Sequence, residues 1–235
     1  MVYDIFTVAS AMDRKIVQLD HVTNNLANAS TPGFKAEHLR ALRAYSDDEG
    51  ASPEATMETS VDFRPGSTER TGNALDLRIE GDGFFVIQQK EGLAFTRRGD
   101  FTIDPQNRLV TQSGDPVMGD SGTITLGKGQ IHISSDGSVA VDASVVGKLR
   151  IVDFNNRAKL TRSGGGLYLD SGTAGMKKPP SPEVASGYLE LSNVNMILEM
   201  TGMIEINRSF EYYQKMILTL SEMDKMSVSR IGRLA

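Results

Sequence analysis

The sequence contains no cysteine and no tryptophan. The first absence removes disulfides, thiolate metal sites and cysteine nucleophiles together, so outside the cytoplasm such a chain would depend on packing alone. An excess of basic charge is also missing, because 25 Lys and Arg face 30 Asp and Glu for a formal net charge of −5. With no dense Lys/Arg block, that balance argues against nucleic acid as the main partner. No apolar run is long enough to span a membrane. Near the N-terminus Asp4, Asp13, Arg14 and Lys15 break any apolar stretch before it reaches the length of a secretory signal. Composition alone therefore points to the cytoplasm. The 235 residues, 39 % of them hydrophobic, suffice for one large or two modest folded domains.

Catalytic and metal-binding patterns are lacking too. His21, His38 and His132 have none of the spacings that place two imidazoles on one face. Ser163-Gly164-Gly165-Gly166-Leu167 lacks the Lys-Ser/Thr that follows a phosphate loop and reads as a flexible turn. Arg98-Gly99-Asp100 fits a turn between Phe95 and Phe101. Asp76, Asp82, Asp100 and Asp104 are the available carboxylates, but three of them adjoin Gly or Pro, where Asp serves turns by accepting backbone N–H bonds. No nucleophile–base pair can be assembled. The expectation is a protein that is not an enzyme, with no catalytic residues, no cofactor and no metal.

What the chain does have is helical period at both ends. Met196, Met203, Phe210 and Ile217 recur every seven residues, with Ile206, Tyr213 and Leu220 between them, in a segment running from Leu191 to about Arg230. Ile197, Met200, Ile204, Met216 and Met223 widen this stripe beyond what one partner helix needs. Ser192 is the expected N-cap, and Gly202 costs the helix about 1 kcal/mol relative to Ala. At the other end Ile5, Met12, Leu19 and Leu26 are seven apart, with Val8 and Val22 between them and Lys15 interrupting. Asn28 to Gly33 should end that helix, with Pro32 and Gly33 as the central pair of a type II turn.

Between the ends the period changes to that of strands. Asp76 to Glu80 alternates, Phe84-Phe85-Val86-Ile87 is a short apolar run, and Asp104 to Asn107 and Asp136-Gly137 are hairpin connections. The fold class expected is α+β. It comprises an N-terminal helix and turn (1–35), a flexible linker (36–69), a central β domain (70–175), a connector (176–191) and a C-terminal helix (192–235). The terminal helices are expected to pair as an α-helical coiled coil.

The run Asn24-Asn25-Leu26-Ala27-Asn28-Ala29-Ser30-Thr31-Pro32-Gly33-Phe34-Lys35 closely resembles the N-terminal signature of bacterial flagellar axial proteins, the rod and hook family. Residues 71–86 and 95–101 resemble the family's central block, and Ser192-Asn193-Val194-Asn195 with Glu199-Met200 and Met203-Ile204-Glu205 its C-terminal signature. Residues 114–119, 147–152 and 160–162, together with the length, are more similar to the proximal-rod members, with the distal-rod members as the alternative. The resemblance implies a structural subunit of the flagellar basal-body rod, helically assembled in the periplasm to carry torque toward the hook. It further implies contacts with other rod subunits and with copies of itself, and passage through the flagellar type III export apparatus without a cleavable signal. Ile5, Met12, Leu19, Leu26, Met203, Ile206, Phe210, Tyr213, Ile217 and Leu220 are the expected assembly interface. From another class, a cell-wall glycan-binding β module stays open as an alternative. Sedimentation velocity with circular dichroism across a concentration series should show the chain gaining helix as it associates. A dilute monomer already helical at both ends would place those helices within the subunit.

Overall fold

The computed structural model describes residues 2–43, 55–142, 144–180 and 182–231. They form two compact units: a helical unit of residues 1–27, 37–59 and 195–235, and a β unit of residues 28–36 and 60–194. In the helical unit, α1 (Val2–Ala27) and α2 (Met196–Ile231) pack together. Val22 lies beside Gly202, and the Asn25 amide bonds the Glu199 carboxylate at 2.9 Å, so the two helices run antiparallel. Helices at the two ends and a mainly-β centre agree with the α+β class expected from the sequence. The strands Glu37–Arg43 and Ala55–Val61 form a two-stranded sheet from the segment read as linker. The acidic stretch between them lies outside the described residues.

α2 begins three residues later than its N-cap reading from Ser192 suggests. The Asn195 side-chain oxygen accepts from the backbone N–H groups of Ile197 and Leu198 at 3.1 and 3.2 Å, which makes Asn195 the cap. Ser192 instead accepts from its near neighbour Val194. The physical reason is Asn193, whose hydrogen bonds to residues 36, 62 and 64 keep the preceding turn in the β unit.

The β unit is built on a six-stranded antiparallel sheet in the order Thr161–Arg162, Leu167–Leu169, Gly92–Thr96, Phe84–Gln89, Ile151–Phe154, Met176–Lys177. Its middle strand explains the unbroken run Phe84 to Ile87. Phe85 and Ile87 join one apolar cluster with Leu77, Leu109, Val117 and Ile151, while Phe84 and Val86 join another with Phe95, Phe154 and Tyr168. Both faces of that strand are buried, so no polar residue is needed in alternation. The second cluster is rich in edge-to-face ring pairs, with Phe95–Phe154 centroids 4.9 Å apart and Phe84–Tyr168 5.9 Å apart.

Both hairpins read from the sequence are present. Thr102–Ile103 pairs with Leu109–Val110, and Ile131–Ile133 pairs with Ser138–Val141. In the second turn the Asp136 carboxyl is held down to about 2, first by the hydrogen bond from Lys148 and then by those from Ser138. The expected connector is not a bare spacer: Glu183–Ser186 pairs with Leu77–Glu80, and Tyr188–Glu190 with Thr68–Arg70.

The turn after α1 has the geometry its sequence requires. The Phe34 N–H donates to the Thr31 carbonyl across Pro32 and Gly33, and Gly33 has φ +66°. A Cβ at Gly33 would also lie 2.5 Å from the backbone of both Arg97 and Arg98. Gly33→Ala therefore combines a left-handed backbone with a backbone clash. It should destabilise the β unit by at least about 1–3 kcal/mol, seen as a lower urea midpoint with unchanged slope.

Candidate assembly surface and signature residues

Within the helical unit the seven-residue series on α2 faces inward from Met203 onward, while Met196 at its start is exposed. Ile206 is buried, and Met203, Phe210, Tyr213, Ile217 and Leu220 are half-buried. On α1 Val8 is buried, and Met12, Leu19 and Leu26 are half-buried. Ile5 lies in α1, but its side chain is outside the described residues. Lys15, which interrupts the apolar series, donates to Gln18 at 2.9 Å. A methyl group at Gly202 would meet only Val22, at 3.9 Å, so close packing does not demand the glycine.

A second apolar row remains open to solvent. On α2 Ile197, Met200 and Ile204 recur at three- and four-residue spacing and are 76 %, 47 % and 54 % exposed, beside Leu198 at 68 %. Their mean direction lies about 120° round α2 from that of Met203, Ile206 and Phe210, given 3.6 residues per turn. Phe6, Ile16 and Val17 are exposed on α1. Two helices in one unit thus bury one stripe and leave a large apolar surface uncovered, a pattern that marks an interaction site.

The signature residues divide between the units. Asn24 is exposed and Ala27 closes α1. Asn25 is buried; its amide donates to the Glu37 carbonyl and to Glu199, and its oxygen accepts from the Glu37 N–H, each at 2.9 Å. This side chain therefore ties the strand after the turn back to α1 and to α2. Asn28 accepts from Thr31, both through its carbonyl and through its side chain.

In the β unit the other signature residues converge on one buried charge cluster. Lys35, Arg97 and Glu190 are all almost completely buried. Lys35 Nζ lies 2.5 Å from one Glu190 oxygen, and the Arg97 guanidinium 2.8 Å from the other. The surplus positive charge is absorbed by backbone. Lys35 donates to the Arg64 carbonyl, and Arg97 to those of Gly83 and Gly81. Glu190 also accepts from the Gly66 N–H, while its own carbonyl accepts from Gly33. Phe34 is buried beneath the Arg162 guanidinium, 4.1 Å from the ring centre. Asn193 completes the arrangement, accepting from the Ala36 N–H at 2.7 Å and donating to the carbonyls of Asp62 and Arg64.

Burial pushes the Lys35 ammonium below its ordinary value, against the attraction of Glu190. Burial also acts to raise the Glu190 carboxyl, but Arg97 and Lys35 together outweigh it and hold the group below the usual 4.5. Lys35 lies in the run 24–35 and Arg97 within 95–101, and nothing in those stretches names a partner for either. The available signal was Glu190 itself, a charge between Leu189 and Leu191 at the end of a strand.

The residues weighed for chemistry are taken up by structural pairings: Asp76 and Asp100 meet in an isolated β-bridge, Asp82 pairs with Arg157, and His21 with Glu37. Arg98 and Asp100 bond each other, and Gly164, Gly165 and Gly166 all have positive φ in the loop before Leu167. Among the described residues no group of three His, Asp or Glu side chains could hold a metal ion. No described helix is long and apolar enough to cross a membrane.

Residues 5–35 match the family described as Flagella basal body rod protein. Residues 78–141 match the Flagellar hook protein FlgE/F/G D1 domain, and residues 185–230 the Flagellar basal body rod FlgEFG protein C-terminal region. The chain is 35 % identical over 227 residues to the flagellar basal-body rod protein FlgF of Caulobacter vibrioides, covering 92 % of this chain and 93 % of that protein. It is 33 % identical over 242 residues to FlgF of Escherichia coli, at 94 % and 95 % coverage. It is 34 % identical over 254 residues to the flagellar basal-body rod protein FlgG of Bacillus subtilis, at 94 % and 96 % coverage.

The charge cluster makes stability depend on pH in a defined direction. The folded Glu190 carboxyl titrates below the ordinary value of 4.5, so its contribution is complete above 4.5 and is lost as pH falls through the lowered folded value. Glu190→Ala, which leaves two buried cations uncompensated, should cost about 3–5 kcal/mol near neutral pH. Urea midpoints of wild type and variant should converge as the solution is acidified.

Proposed function

The chain belongs to the flagellar basal-body rod protein family, and on that premise we propose that it is a proximal-rod subunit of the FlgF type, assembled helically with copies of itself and with other rod proteins. The family is structural, so the protein is not an enzyme, and its place is the flagellar basal body. In this reading the helical unit forms the axial layer of the rod and carries torque through helices packed on several neighbours, completing coiled-coil contacts between subunits. The chain reaches the periplasm through the flagellar type III export apparatus without a cleaved signal.

One observation carries the reading. After α1 and α2 have paired, the row Ile197, Met200 and Ile204 is still exposed, about a third of a turn round α2 from the buried seam. A face distinct from the self-paired seam suits a heterologous contact, which propagates along an axis instead of closing on itself. Met12, Leu19, Met203, Ile206, Phe210, Tyr213, Ile217 and Leu220 then shape each subunit's helical unit and continue the apolar layer at its rim, with Ile5 and Leu26 toward its ends. The distal-rod reading is favoured by one fact: identity to FlgG of Bacillus subtilis equals or exceeds that to the enteric FlgF.

Two paired substitutions test the assembly role. Ile197→Asp with Ile204→Asp alters only exposed positions, so the dilute protein should keep wild-type thermal stability while losing concentration-dependent association and the ability to restore motility to a strain lacking the protein. Leu19→Asp with Phe210→Asp should lose motility and also lower the helical unit's stability. Normal motility with either pair would overturn the proposal.

A further inference from the structure

We infer that residues 31–36 and 188–194 form a clasp that closes after the rest of the β unit has folded, so that closure waits for Glu190. The centre of the unit is local in sequence: Phe84–Gln89 turns directly into its partner Gly92–Thr96. The clasp is the opposite. Lys35 meets Glu190 across 155 positions, Gly66 meets Glu190 across 124, and Asn193 meets Asp62 across 131. Long loops lose entropy before any contact offsets it, so contacts of this range form after the local ones.

Charge imposes the same order. Lys35 and Arg97 come from separate parts of the chain and converge on one dry site, where two cations without an anion repel each other and lose their hydration. The N-terminal turn therefore gains nothing by docking beside Arg97 until Glu190 stands between them. Three other contacts close in the same event: Gly33 N–H to the Glu190 carbonyl, Leu191 N–H to the Ser67 carbonyl, and Ala36 N–H to Asn193. Any chain delivered N-terminus first has all of its signature turn and most of its strands available while the clasp is still open. The advantage this gives to a chain that must stay pliable during export rests on the rod reading; the order of closure does not.

Pulse-labelling hydrogen exchange during refolding of the full chain, read by mass spectrometry, tests the order directly. Peptides within 84–96 should gain protection first. Peptides carrying Gly33 to Ala36, Gly66 to Arg70 and Tyr188 to Asn193 should follow in a single later step. In native-state exchange Glu190→Gln should speed the clasp peptides at least tenfold and together, with little change within 84–96. Leu189→Ala loosens the same strand without touching charge. It should single out the same peptides, and it carries the test if the charge variant does not fold. Protection of the clasp ahead of residues 84–96 would overturn the inference, as would equal acceleration of both regions. So would clasp peptides that respond separately, since they would not then be one unit.

Discussion

Three charged side chains that have almost no contact with water decide which parts of this chain belong together. One carboxylate, Glu190, sits between the ammonium of Lys35 and the guanidinium of Arg97, and none of the three has an alternative partner of equal strength in a dry site. The requirement reaches outward through backbone. Gly33, Gly66, Gly81 and Gly83 all supply N–H or carbonyl groups to the cluster, so the turn after α1, the loop near residue 66 and the turn before Phe84 are fixed by the same charges. The β unit is therefore not a contiguous domain with helices appended. It recruits residues 28–36 from one end and residues 188–194 from the other.

The matched family regions take on a physical meaning from this arrangement. The N-terminal match ends at residue 35, and the C-terminal match begins at residue 185, five positions before Glu190. Each region joins a long helix to a few residues that lock into the β unit. Within the helical unit Asn25 plays a related part, with every polar atom of its side chain satisfied by Glu37 and Glu199. A buried amide of this kind fixes one register between helix, helix and strand, because any slip leaves donors and acceptors unpaired.

Much of this was legible from residue patterns. The helical periods at the two ends, the turn at Pro32-Gly33, the hairpins at Asp104 and Asp136 and the doubly buried strand at Phe84 each follow from local chemistry. The strands Glu37–Arg43 and Ala55–Val61 did not stand out, because polar residues fill them and an acidic stretch separates them. The start of α2 was displaced for a different reason. Ser192 is a good cap in isolation, but the tertiary bonds of Asn193 take that segment away and leave Asn195 to cap. The charge cluster was the least accessible, since its members are far apart in the chain and only Glu190, between Leu189 and Leu191, carries a local sign of burial.

The bonds of Asn193 have one more implication. Because Asn193 pairs with Phe34 and Ala36 through backbone and side chain, two of the β unit's four exits, those after Ala36 and after Val194, leave it side by side. The hairpins at Asp104 and Asp136 lie far along the chain from both of these exits. Hairpins there can be lengthened, shortened or exchanged without altering the separation of the two exits. The separation at which these two segments leave the β unit is thereby set independently of the unit's size.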